Sequence, residues 1–193
     1  MIKIDRFYDY WAKAGFITAL FLLILLIFNS KTPIGSFGWF YWLSLPIYMF
    51  HQFEEYVYPG GFKDELNELL RKDESDQEVL TDKLVIFVNI GFIWILNPVL
   101  IILNAISIIF PIILMTIVGF NGIVHVFTSL RFRKYNPGLI MSVIGNIPLS
   151  VYVILGLGLT GTASILELIV GICIGIVLHM LLFIMLFLRS RKI

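Results

Sequence analysis

The chain has 193 residues, 59% of them hydrophobic and 14% charged. A mean hydropathy of +0.95 excludes an ordinary soluble domain and points to one polytopic membrane domain. The formal net charge of +1 favours no class of partner, and a single cysteine, Cys173, excludes an intrachain disulfide.

Residues 1–13 mix charges with aromatic rings, among them Tyr10 and Trp11 beside Lys13. That composition predicts a short amphipathic lead-in at the lipid headgroups. The first span is predicted over 14–28 and reads as retained, because no small-residue cleavage site follows it. The second, 37–58, opens on an aromatic belt (Phe37, Trp39, Phe40, Tyr41, Trp42). It holds Pro46, which predicts a kink about one turn before His51. A polar cytoplasmic loop is predicted over 59–83. Within it, Phe62, Leu66, Leu69 and Leu70 have the spacing of a surface helix, and the run Asp73-Glu74-Ser75-Asp76 reads as solvated loop. From Leu84 to Leu130 there is no Asp, Glu, Lys or Arg. That is too long for one span, so it divides at Asn104–Ser107 into spans 84–103 and 108–130. Spans 138–157 and 163–188 complete an all-α bundle of six transmembrane helices.

Basic residues set the orientation. Of the 14 Lys and Arg, only Lys31 falls on the side opposite the termini in this scheme. Both termini are therefore predicted to be cytoplasmic, in a multi-pass protein of the cell membrane.

The second span ends in His51-Gln52-Phe53-Glu54-Glu55. Positions i, i+3 and i+4 share a helix face, so one imidazole and two carboxylates crowd a single turn. Each costs about 2.5–3.5 kcal/mol at mid-membrane on insertion scales, and a bound cation or a proton relay is the usual compensation. At about 1.5 Å per residue, His51 and His125 lie roughly 9–12 Å from the cytoplasmic boundary, with Asn89 at the same depth. His179 is somewhat deeper, and Glu167, near the outer face, is excluded. The expected site is a divalent metal, zinc or iron, held by His51, Glu55 and His125, with Glu54 polarising a metal-bound water. Asn121 would orient His125 or donate into the cavity. Asn89 would line the same layer, and His179 would be a fourth ligand or a donor to a carboxylate. The competing reading is a buried hydrogen-bond and ion-pair knot that fixes helix packing.

These residues, together with Tyr56, Pro59-Gly60-Gly61-Phe62, Asn121, His125 and Tyr135-Asn136-Pro137-Gly138, resemble the signature of the HXXEE family of small integral membrane proteins. The resemblance covers the middle and second half of the chain. It implies an integral membrane fold and candidate site residues, and it carries no reaction. The spacing is also similar to the inverted zinc-peptidase pattern H-x-x-E-H, with Glu in place of the second His.

There is no Gly-rich phosphate loop, no G-x-S-x-G elbow and no CxxC pair. The run Arg131-Phe132-Arg133-Lys134 is too short and too close to a span to indicate nucleic acid, and suits anionic lipid heads. The sequence thus supports a metal-dependent membrane enzyme, hydrolase-like, acting on a lipid or amphipathic substrate from a polar cavity open to the cytoplasm. The alternative is a small transporter or binding protein that relays protons or binds a cation through the same groups. A packing or assembly factor is the third reading.

Overall fold

The computed structural model describes residues 4–29, 31–70 and 77–191, with side chains from Tyr10 onward. Among the described residues there are seven helices and no strand. They are α1 Ile4–Phe28, α2 Phe37–Tyr56, α3 Phe62–Leu70, α4 Asp82–Leu103, α5 Ile109–Phe132, α6 Leu139–Leu159 and α7 Ile165–Ser190. The acidic run Asp73–Asp76, expected as solvated loop, lies outside the described residues.

Five helices (α1 from Tyr10, α4, α5, α6 and α7) are long and apolar enough to cross a membrane. The sixth predicted span, α2, is 20 residues long but does not share their composition. Its last two turns carry His51, Gln52, Glu54 and Glu55 where a lipid-facing helix would carry apolar side chains. Burial resolves the conflict. All four are at most 5% exposed, because α2 is packed among α1, α4, α5 and α6. Polar side chains in an apolar bundle are tolerated where protein surrounds them.

Helix α5 is the centre of the bundle, and every residue from Pro111 to Gly119 is buried. Small residues bring its neighbours close. Gly171 and Gly175 of α7 form a G-x-x-x-G stripe, and a Cβ on either would lie 2.6 Å from Ile112 or Thr116 of α5. Such stripes let helix backbones approach where no hydrophobic force drives association.

Two helices widen locally into π turns, α4 over Phe87–Ile95 and α6 over Ser142–Asn146. In each the carbonyl four residues before a proline (Pro98 or Pro148) falls inside the widened stretch. A proline has no N–H for that carbonyl, and its ring displaces it. The α4 widening contains Asn89, one of the predicted site residues.

Helix α3 has the predicted amphipathic pattern and lies across one end of the bundle. Asn67 holds it there, donating to the Leu80 carbonyl at 3.1 Å and accepting from the Leu80 N–H at 2.7 Å. Beneath it an apolar cluster of Trp11, Val79, Leu80, Val85 and Leu186 receives Leu66 and Leu70.

Candidate metal centre

Helix α2 delivers His51 and Glu55 one turn apart, and α5 delivers His125 opposite them. Glu55 Oε1 lies 3.5 Å from His51 Nε2 and 3.2 Å from His125 Nε2. The two imidazoles meet edge to face with centroids 4.7 Å apart. One ligand atom from each of the three residues falls within 4.8 Å of the others, and all three residues are buried. Ligand atoms around one tetrahedral zinc, with bonds near about 2.05 Å, are roughly 3.3 Å apart. The two separations bracket that value, so these side chains can hold one cation once His51 Nε2 gives up the Asn121 amide that lies 2.9 Å from it.

The proton on His125 is fixed by its second neighbour. Its Nδ1 bonds the Asn136 side-chain oxygen, and the Asn136 amide nitrogen donates to Glu65 Oε2 at 3.2 Å. That second bond assigns the Asn136 oxygen to the histidine side, where it can only accept. Nδ1 therefore carries the hydrogen, and a neutral ring turns its Nε2 lone pair toward the Glu55 carboxylate. A lone pair facing a carboxylate at 3.2 Å is repulsive. A cation between them, or a second proton on the ring, removes the conflict. Lys134 Nζ, 3.2 Å from Glu65 Oε1, extends this chain to the surface.

Tight packing sets the histidines in place. Gly138, at φ +100°, lies against both rings, and a Cβ there would be 2.7 Å from the Cε1 of each. No side chain fits between this turn and the site.

The structure corrects several sequence expectations. Asn121 lines the cavity, one of the two places expected of it, and bonds His51 Nε2 at 2.9 Å, whereas the partner that orients His125 is Asn136. Asn89 lies in the expected layer but is tied to Gln52 (2.9 Å), the Tyr56 hydroxyl (3.2 Å) and the Val85 carbonyl (2.8 Å). His179 is outside the three-residue group. Its ring packs between Phe120 and Phe183 on the cavity wall. Glu54 is placed differently from the water-polarising group expected of it. Its Oε1 accepts from the Tyr135 hydroxyl at 2.6 Å and the Ile140 N–H at 2.8 Å, and its Oε2 accepts from the Met141 N–H at 2.7 Å. The carboxylate caps the start of α6, where free N–H groups and the helix dipole favour an anion. The Tyr135 hydroxyl is correspondingly held above its ordinary pKa, by burial first and then by the Glu54 carboxylate it bonds. Glu167 closes a capping box with Ser164 at the start of α7, consistent with its exclusion.

Asn136, Gly138 and Glu65 belong to this site, although none of them is among the candidate ligands and donors that the sequence suggests. A hydrogen-bonding Asn beside a Pro-Gly pair, within the resemblance, was the available signal.

A cavity of about 140 Å³ adjoins the site, with Glu55, His125, Asn121, Asn89 and His179 on its polar side. At the α3 end of the bundle, Phe62, Leu66 and Leu69 of α3 and the loop residue Leu80 line it.

No curated protein and no solved structure matches the chain. A family model, described as a protein of unknown function with HXXEE motif, matches residues 42–153. That segment contains α2 from residue 42 onward and all of α3, α4 and α5, and with them every residue of the metal-capable group. The chain belongs to the HXXEE family.

Proposed function

We infer that this is a metal-dependent membrane enzyme acting on an amphipathic substrate, with a divalent cation, zinc or iron, held by His51, Glu55 and His125. The observation that carries the reading is the convergence of His125 Nε2 and His51 Nε2 on one Glu55 oxygen, at 3.2 and 3.5 Å, while the other nitrogen of His125 bonds Asn136. Buried histidine ligands characteristically donate their other N–H to a carbonyl or carboxylate, which orients the ring. Asn136 fills that role for His125.

A cation so placed would lower the pKa of a bound water and polarise a substrate carbonyl, which makes hydrolysis the simplest chemistry. Glu54 serves the fold in this reading. It anchors the α6 start that carries Gly138 against the histidines, and so acts as a positioning residue. The Lys134–Glu65–Asn136–His125 chain also suits a protonated His125 paired with Glu55, the arrangement of a proton relay. Metal content separates the two.

Purified protein analysed by mass spectrometry should carry about one zinc or iron per chain. His51→Ala, Glu55→Ala and His125→Ala should each lose it, and Asn136→Ala should weaken it by roughly 10–100-fold. Protein that takes up no stoichiometric metal, or whose metal survives His125→Ala, would move the site to the proton relay.

We also place α2 as the sixth span, with both termini cytoplasmic, on the distribution of basic residues. Cysteine substituted at Ser75 should be labelled from the cytoplasmic side, and at Ser36 from the outside. External labelling at Ser75 reverses the orientation.

A further inference from the structure

The wall opposite the three metal-capable residues is built from α4 and α7, and these helices do little packing on each other. Helix α7 lies along α5 and touches α6 lightly, whereas α4 packs on α1, α2 and α5. The two share one apolar cluster at the α3 end, where Leu186 joins Val85 and Leu80. Farther in, Val88 and Phe92 of α4 and Leu178 and Leu182 of α7 line the cavity between them. From Val85 to Ile93 that wall is about 12 Å long at the rise of a helix. Its outer flank is apolar and exposed at Phe87, Leu181 and Ile184, the composition of a lipid-facing surface.

One polar group on this wall lacks a partner. His179 is 6% exposed, lines the cavity and makes no hydrogen bond among the described residues. Its ring nitrogens are open to the cavity, where a hydrogen-bonding guest would meet them. An anionic head is disfavoured. The lining contains Glu55 and Glu65 and no Lys or Arg, so nothing there answers a phosphate or sulfate. The rest of the lining is largely apolar, which suits a hydrocarbon tail.

We propose that the crevice between α4 and α7 admits from the bilayer a single-chain amphiphile with an uncharged oxygen-bearing head, a hydroxyl, ester or amide. The head hydrogen-bonds His179 beside the metal-capable residues, and the tail lies along Val88, Phe92 and Leu182. This assignment rests on the reading of His51, Glu55 and His125 as the reacting centre. It names the substrate class of that centre and the route by which it arrives.

The test uses a medium-chain fatty alcohol with a diazirine at the chain end, added to the full-length protein in phosphatidylcholine vesicles. Adducts mapped by mass spectrometry should fall on Val88, Phe92 and Leu182, and an excess of the plain alcohol should suppress them at least about tenfold. His179→Phe removes the head's hydrogen bond and should weaken that competition roughly tenfold, with metal content and melting temperature unchanged. Leu182→Trp should reduce adducts by filling the crevice, and Leu181→Trp, on the exposed flank, should not. Adducts confined to Leu181 and Ile184 and insensitive to competition would overturn the proposal, as would unchanged competition in His179→Phe. Competed labelling in protein that binds no metal would retain the ligand class while the metal reading fails. Metal-bound protein with uncompeted labelling would sink the ligand class alone.

Discussion

Gly138→Ala is expected to lower metal affinity at least tenfold and to destabilise the protein by about 1–3 kcal/mol. Two causes add. At φ +100° an L side chain is strained, at a cost of order 1–2 kcal/mol in the left-handed region. The new methyl would also sit 2.7 Å from both histidine Cε1 atoms and 2.9 Å from His125 Nδ1. These rings have little freedom to retreat. His51 is tied to Asn121 and His125 to Asn136, and the residues are 0% and 2% exposed. Reaching ordinary contact requires each ring to yield by several tenths of an ångström, comparable to the roughly 0.5 Å within which a metal constellation must be held. Gly61→Ala supplies the control. It has φ +95° with nothing within 4 Å of the new methyl, so it shares the backbone cost without the collision. Melting curves should therefore fall for both variants, whereas metal titration should change for Gly138→Ala only. Equal metal affinity in the two would mean that the turn does not position the histidines.

Much of this architecture was legible because the signals were local. Hydropathy located the long apolar helices, the spacing of Phe62, Leu66, Leu69 and Leu70 located α3, and depth counting brought His51 and His125 to one layer. The partners of each site residue were not legible, because they arrive from loops whose path depends on tertiary packing. A shared helix face suggests that Asn121 orients His125 or donates into the cavity. Its amide crosses to α2, and the loop after α5 returns Asn136 to His125. Glu54 was read as chemistry because two adjacent carboxylates in an apolar helix imply a charge to be met. Its actual counterparts, two backbone N–H groups and a phenol, leave no trace in composition. Helix α2 shows the same limit from the other side. The residues that make it a poor lipid-facing span also make it the best candidate for the interior.

Glu54→Gln separates the anchoring role from a catalytic one, because the two make opposite statements about stability. The Glu54 carboxylate is 5% exposed and accepts from three donors: Tyr135, Ile140 and Met141. Glutamine has nearly the same shape, but one acceptor oxygen becomes an NH₂ group. If its oxygen keeps Tyr135 and Ile140, the amide nitrogen faces the Met141 N–H, donor against donor, and that buried N–H is orphaned. Such a group costs about 1–3 kcal/mol, and loss of the anion at the start of α6 adds about 0.3–1 kcal/mol. The expected result is a destabilisation of roughly 2 kcal/mol with metal stoichiometry retained. Tyr135→Phe removes one of the three donors and should cost less, about 1 kcal/mol. In the double variant the two effects should be less than additive, since both act on one network. A general base predicts otherwise: its carboxylate would keep free lone pairs, and Glu54→Gln would leave the melting temperature unchanged while abolishing turnover. A denaturation series on the two single variants and the double variant decides between them, and an unaltered midpoint in Glu54→Gln would return Glu54 to the chemistry.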